Sequence, residues 1–354
     1  MNSNKLKNND RYFAAANSYG GFISYFNREF CSTDFSRVYV IKGGPGTGKS
    51  SFMKKMAKAF DCYECDIEYI FCSSDPKSLD GIKIQKNNKK VAILDGTAPH
   101  ERDAVVGGAV DEIINLAENW DRRFLISQRE KILDIGEEKA NAYKRAYFYL
   151  SCAGKIDEYI SQLHKLGFSK NKAKIKAEGL VVANSGVGMT KIKDRTISSF
   201  GKLGYYRLSG IRDEYSTKIP LSGNHYSCAL FLSEIYETIK NISDVVTKFH
   251  SPLSPERLEG LSLENENCII FEAAEGVINT DELVSISKVD RDMIGRLETH
   301  LGEMINEATR WFEIASDMHF RLEEIYSRAM NFEKNDIIFD KKLEEIKNIL
   351  EISI

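Results

Sequence analysis

The chain has 354 residues, 42% hydrophobic and 29% charged, with a formal net charge of −3. That length allows two domains with sizeable cores, and the composition is that of a globular chain with no electrostatic reason to bind nucleic acid or an anionic membrane. No stretch approaches the roughly 20 apolar residues of a membrane span, and the N-terminus lacks the apolar core of a secretory signal, so a cytoplasmic protein is expected.

The first informative segment is Val38-Tyr39-Val40-Ile41, a β-branched and aromatic run suited to a buried parallel strand. It leads into Gly43-Gly44-Pro45-Gly46-Thr47-Gly48-Lys49-Ser50, a complete G-x-x-x-x-G-K-[ST] phosphate-binding loop. The glycines let successive backbone N–H groups point inward at a β-phosphate. Lys49 adds charge between the β- and γ-phosphates, and Ser50 offers a hydroxyl to Mg²⁺. A helix is expected to start near Lys49, with Phe52, Met53 and Met56 on its buried face and its N-terminus aimed at the same phosphates. The nucleotide-contacting set is therefore Gly43, Gly44, Pro45, Gly46, Thr47, Gly48, Lys49, Ser50 and Ser51.

Farther along, Val91-Ala92-Ile93-Leu94-Asp95 reads as a strand buried on both faces, delivering Asp95 at its C-terminal edge as the carboxylate of the magnesium shell. The metal set is thus Ser50 and Asp95. Gly96 follows Asp95, so the adjacent acid that many ATPases use to polarise water is missing. Asp75, placed with Asp80 in a loop from Cys72 to Gly81, joins Lys49 and Asp95 as the expected catalytic residues; His100, Glu101 and Asp103 are further candidates. Arg102, Arg122, Arg123 and Arg145 could bring charge to the γ-phosphate.

The seven cysteines, Cys31, Cys62, Cys65, Cys72, Cys152, Cys228 and Cys268, read as reduced, buried thiols. Cys62 and Cys65 lack the second pair that a zinc site needs.

The chain repeats itself. Pro76-Lys77-Ser78-Leu79-Asp80-Gly81-Ile82-Lys83-Ile84 returns as Pro255-Glu256-Arg257-Leu258-Glu259-Gly260-Leu261-Ser262-Leu263, an offset of 255 − 76 = 179. Carried back without a gap, that offset sets Gly44 beside Gly223 and Phe52 beside Phe231. With small changes of offset, Asp10-Arg11 and Gly20 find Asp194-Arg195 and Gly204, and Val91 to Asp95 finds Cys268-Ile269-Ile270-Phe271-Glu272. In the second copy Cys228 replaces Lys49, Ala229 replaces Ser50, and His225 and Ser227 replace Gly46 and Gly48. Such a loop should not bind a nucleoside triphosphate, and His225 with Cys228 has no third ligand nearby to make a metal site.

Each copy continues into long helical sequence. Ile132, Ile135, Ala142, Ala146, Tyr149, Ala153, Ile156, Ile160 and Leu163 keep a three-four spacing that Lys139 interrupts; the run from Ile294 to Phe332 keeps it almost unbroken. Packing within the protein is favoured over a projecting dimerisation stalk, although a protein partner or a second copy could bind through these helices. The Lys-rich run around residues 169–176 reads as a solvated helix face or linker.

The loop at Gly43 to Ser50, Cys72-Ser73-Ser74-Asp75, a Leu79-Asp80-Gly81 turn and Leu94-Asp95-Gly96-Thr97-Ala98-Pro99-His100 together resemble a little-characterised group of bacterial two-repeat P-loop ATPases. The resemblance covers nearly the whole chain, with its specific motifs in residues 12–115. It implies ATP and Mg²⁺ binding at the first loop and an acidic role for Asp95. Relatives with a recognisable phosphate loop in both halves would differ from this chain at Cys228 and Ala229.

The expected architecture is α/β: two tandem P-loop NTPase-like three-layer domains with mainly parallel sheets, each followed by long helices, the second copy degenerate. The expected division is residues 1–170, a linker at 171–193, and residues 194–354. The leading function is a Mg·ATP-binding NTPase with one site; a nucleotide or small-metabolite kinase and an ATP-dependent interaction module with little turnover are the alternatives.

Overall fold

A computed structural model describes residues 10–180, 190–210, 215–241, 245–264 and 266–352. The first half of the chain forms β1 (Arg11–Phe13), β2 (Ala15–Ser18), β3 (Gly21–Ser24), α1 (Phe26–Glu29), β4 (Arg37–Lys42), α2 (Lys49–Phe60), β5 (Asp66–Phe71), β6 (Leu79–Lys86), β7 (Lys89–Asp95) and β8 (Asp111–Asn115). Three helices follow: α3 (Arg122–Ser127), α4 (Arg129–Gly167) and α5 (Lys170–Leu180). The second half forms β9 (Lys191–Arg195), β10 (Ser198–Gly201), β11 (Gly204–Arg207), β12 (Thr217–Ser222), α6 (His225–Ile239), β13 (Val245–His250), β14 (Leu258–Leu263), β15 (Cys268–Glu272), β16 (Ile278–Asn279), α7 (Lys288–Arg328) and α8 (Phe332–Ile349).

The duplication is visible in the sheets. The first runs β1-β5-β6-β7-β4-β8 and the second, read from its β9 edge, β9-β13-β14-β15-β12-β16, the same order element for element. In both, the strand next to the edge lies parallel to its two neighbours: β4 to β7 and β8, and β12 to β15 and β16. The sheets are mainly parallel, with one reversed strand in each: β6 and β14 run antiparallel to both of their neighbours. A bulge recurs at the same place, between Ile70 and Phe71 and between Phe249 and His250.

One face of the first sheet is closed by α2 and α8, whose Phe52 and Phe339 rings meet edge-on at 5.3 Å over Tyr39, Ile41, Ile82, Ile84 and Ile93. On the other face, Phe30, just after α1, would lie 2.6 Å from a Cβ at Gly81. In the second sheet α5 and α6 cover Leu221, Leu261, Leu263 and Ile270, while Ile197, Leu208 and Tyr215 cover Phe249, Ile269 and Phe271. Both sheets are thus packed with helices in an α/β arrangement, α2 and α8 on the first and α5 and α6 on the second.

The compact units do not follow the expected division into residues 1–170 and 194–354. One comprises the chain up to Tyr12, Phe26–Arg145 and Arg310–Ile354; the other comprises Phe13–Tyr25 and Ala146–Thr309. The hairpin β2-β3 thus belongs to the second unit, where Asn17 Nδ2 donates to the Phe200 carbonyl at 2.6 Å and Tyr147 donates to Asn17 Oδ1 at 2.6 Å. Helix α8 belongs to the first. Within that unit the two long helices pack on each other, α4 through Ile132 and Ile135 and α7 through Met318, Leu322 and Ile325. Of the expected linker, residues 171–180 lie in α5, with Ala173 and Ala177 buried and Lys172 and Lys174 exposed; residues 181–189 lie outside the described residues. No helix among the described residues is long and apolar enough to cross a membrane.

Candidate functional site

The strand β4, the loop at residues 43–48 and the helix α2 stand where the sequence places them. Gly46 (φ +70°) and Gly48 (φ +85°) occupy the left-handed region, which side chains other than glycine rarely enter. The Thr47 hydroxyl donates to the Gly44 carbonyl at 2.9 Å, folding the loop back on itself. Among the described residues, the backbone N–H groups of residues 46–50 have no acceptor; the first helical bond is from Phe52 N to Gly48 O at 2.8 Å. Such a row of unspent donors at a helix N-terminus is what an anion satisfies.

Lys49 Nζ donates to the carbonyls of Gly43 (2.6 Å) and Gly44 (3.0 Å) and lies 3.5 Å from Asp95 Oδ2. Sheet register makes that meeting possible: Ile41 and Asp95 are partners on adjacent parallel strands. Asp95 Oδ1 in turn accepts from Thr97 N (2.9 Å) and Oγ1 (2.6 Å), which fixes the carboxylate plane. Ser50 Oγ accepts from Leu79 N at 3.0 Å, and Ser51 is exposed on the first turn of α2.

Asp75 stays in a turn, its Oδ1 accepting from Lys77 N at 3.1 Å. Asp80 and Gly81, expected in a loop, instead open β6, because Leu79, Ile82 and Ile84 all have to reach the core under α2. That places Asp80 beside Asp95, and with His100 these residues present ligand atoms within 4.8 Å of one another, the one such group among the described residues. Burial pushes the Asp80 carboxyl up to about 6, Asp95 adding to the effect and His100 opposing it. Burial likewise pushes the neighbouring Cys72 thiol well up.

The other candidates are occupied elsewhere. Arg102 is buried and donates to Ser32 Oγ at 3.1 Å, and Arg145 lies over the Trp311 ring at 4.5 Å. Arg122 and Arg123 are exposed at the start of α3, as is Glu101 in its loop. Asp103 pairs with Lys42 at 2.8 Å. Cys62 is exposed and Cys65 buried. No protein-family model, curated protein or solved structure matches the chain.

Several groups around the loop have no signal in the local sequence. A Cβ at Gly46 would lie 2.6 Å from the carbonyl oxygen of Glu323 in α7, and Ser327 Oγ donates to the Gly46 carbonyl at 3.2 Å. Asn335 Nδ2 donates to the Thr47 carbonyl at 3.0 Å. A groove of about 610 Å³ is lined by Trp120, Asp121, Arg328, Phe332 and Lys334. It borders the loop, since Trp120 comes within 3.3 Å of a Cβ built on Gly44 and Phe332 within 3.5 Å of one on Gly48. Lys139, the interruption in the apolar seam of α4, lies 3.5 Å from His319 Nδ1. Its ammonium is held below the usual lysine range by burial, with Glu323 opposing and the Lys49 charge reinforcing.

The second copy shows what the loop requires. The strands match with Ile41 at Leu221, since these face Asp95 and Glu272, so Gly223 corresponds to Gly43 rather than Gly44. The buried helix faces match at the sequence offset, Phe52, Met53, Met56 and Phe60 against Phe231, Leu232, Ile235 and Ile239. Only Gly223 and Asn224 remain between strand and helix; Asn224 caps through Oδ1 to Tyr226 N, and His225, Tyr226 and Ser227 wind an extra helical turn. The space is also filled. Asp281 Oδ1 accepts from Asn224 N at 2.8 Å and Thr280 Oγ1 lies 3.3 Å from Cys228 Sγ. Leu116 and Ala117 stand at these two positions in the first copy, by the register that pairs Lys42 with Asn115 and Ser222 with Asn279.

Proposed function

We propose that the first copy is a P-loop site for Mg·ATP and that the protein hydrolyses ATP there, as in the two-repeat P-loop ATPases that the sequence resembles. The observation that carries this reading is the convergence of the Lys49 ammonium on the loop carbonyls and on Asp95, a carboxylate delivered by the neighbouring parallel strand. A loop with left-handed glycines, unspent N–H groups and a lysine over its mouth has the chemistry of a triphosphate cradle.

In this reading the N–H groups of residues 46–50 hold the β-phosphate, and Lys49 leaves the two carbonyls to bridge the β- and γ-phosphates. The base lies in the groove against Trp120, whose size is that of a small-molecule site. Ser50 and Asp95 would hold Mg²⁺, which supplies neutralisation of phosphate charge when bound. As the bond to the γ-phosphoryl group breaks, charge accumulates on its oxygens and on the leaving diphosphate, and the fixed Lys49 charge stabilises it. Asp75 would be the acid that orients the attacking water. The second copy, with its loop wound into helix and filled by Asp281, contributes no second site.

Lys49→Ala tests the proposal. ATP binding should fall by at least about tenfold, a loss of about 1.4 kcal/mol, and phosphate release in water should cease with the fold intact. A Lys49→Ala protein that binds and hydrolyses ATP like the wild type overturns the reading, and transfer to an added acceptor in place of water identifies a kinase.

A further inference from the structure

Asp80, Asp95 and His100 have a property that a magnesium-ATP shell does not require. Gly81 and Leu94 are antiparallel partners, so the next pair outward is Asp80 with Asp95, with side chains on one face of the sheet. His100 reaches back to that face, stacked on Phe26 at 4.4 Å, with Nδ1 4.0 Å from Asp80 Oδ2. Asp80 is 5% and His100 7% exposed. The Cys72 thiol, a weak donor for a buried charge, bonds the Asp80 carboxylate.

The duplicated copy provides an internal comparison. Gly260 and Phe271 are partners there, so Glu259 occupies the place of Asp80 and Glu272 that of Asp95. Glu259 is saturated: it accepts from the hydroxyls of Ser198 and Tyr205 and pairs with Arg207 at 3.0 Å. Both copies therefore carry a pair of carboxylates at this position, with a built-in guanidinium beside it in one copy and an imidazole in the other.

We propose that Asp80, Asp95 and His100 bind a divalent transition ion, of the Mn²⁺, Co²⁺ or Zn²⁺ class, in the absence of nucleotide. Two oxygens and one imidazole nitrogen favour such an ion over Mg²⁺, which prefers oxygen and water. Ligands at about 2.1 Å from one ion are about 3.0–3.4 Å apart in cis or tetrahedral positions, so the three groups, within 4.8 Å of one another, can close on an ion by side-chain rotation. Three protein ligands leave open positions for water or a phosphate oxygen, beside Lys49. The site stands independently of the nucleotide reading, although a bound ion would lie next to the phosphates.

The test uses the full chain, stripped of metal by chelation and without nucleotide, titrated with Co²⁺ and followed by its visible absorption, with the Mn²⁺ form examined by pulsed electron paramagnetic resonance. One ion per chain, an oxygen-nitrogen spectrum and a histidine nitrogen coupling to Mn²⁺ are expected. His100→Ala and, keeping the imidazole, Asp80→Asn should each weaken Co²⁺ binding by at least about tenfold. Failure of the wild type to bind one equivalent, a spectrum dominated by thiolate-to-cobalt absorption, or an Mn²⁺ form without nitrogen coupling overturns the proposal even if both variants misfold. Affinity unchanged in a folded His100→Ala protein does the same. An ATP titration of the same sample reads the nucleotide site separately, so loss of one result leaves the other standing.

Discussion

The Asn335 amide donates to the Thr47 carbonyl at 3.0 Å across 288 residues of chain, and its oxygen accepts from Asn119 Nδ2 at 2.9 Å. Asn335 is buried near the start of α8, so the loop of the first copy is held by the last helix of the chain. Asn335→Ala leaves the Thr47 carbonyl and the Asn119 amide without this partner and should cost about 1–3 kcal/mol. Urea unfolding measures it; an unchanged midpoint would show that α8 does not brace the loop.

Gly46 is under two constraints at once. Its φ of +70° is unfavourable for an L side chain, and an added Cβ meets a main-chain oxygen, that of Glu323, which cannot swing aside. Gly46→Ala should therefore destabilise the protein by about 2–4 kcal/mol. Gly136 and Gly179, where nothing lies within 4 Å of an added Cβ, provide the control: alanine in these helical positions should be neutral or stabilising. Thermal melts of the three variants decide it.

In the second unit, Asp157 is 1% exposed and accepts from Tyr226 (2.8 Å) and, through both oxygens, from Arg257 (2.9 Å each), with Ser254 also donating. Arg257 in turn lies 4.9 Å over the Tyr226 ring. Asp157→Ala strands a buried guanidinium and should cost about 3–5 kcal/mol. A double variant with Arg257→Met should recover a large part of that loss, because the stranded charge is removed along with its partner; additive losses on denaturant unfolding would contradict the pairing.

Stability should depend on pH through His225. Burial lowers its imidazole from 6.5 to about 4, Arg257 reinforcing and Asp157 opposing. The unfolded chain takes up the proton first as pH falls, so the stabilisation is fully present above about pH 6.5 and is lost as pH drops through about 4. The shift is worth about 3 kcal/mol at most. His225→Gln lacks this dependence. The unfolding free energy of the wild type minus that of the variant should decline between pH 7 and pH 4, and a flat difference excludes the mechanism.

What was legible in the sequence was local. Val38 to Ile41 form the strand, Lys49 begins the helix, and Asp95 ends the next parallel strand. These follow from short windows, since β-branched runs, left-handed glycines and helical spacing act through each residue's own backbone and nearest neighbours. The repeat was legible for the same reason: its P-x-x-L-[DE]-G pattern marks the start of β6 and of β14. Placing Asp80 in a turn failed because Gly81 signals a turn by itself. Here it is a strand residue that leaves room for Phe30.

By itself, the sequence determined one open glycine loop and a second copy without one, because Gly46 and Gly48 take backbone angles that His225 and Ser227 avoid by winding into helix. Tertiary structure alone decided that Asp281 fills the second loop, that Ser327 and Asn335 brace the first, and that Asp80, Asp95 and His100 meet. Backbone preference is a property of a few adjacent residues. Which distant side chains share a site depends on which surfaces are buried together, and no short window contains that information.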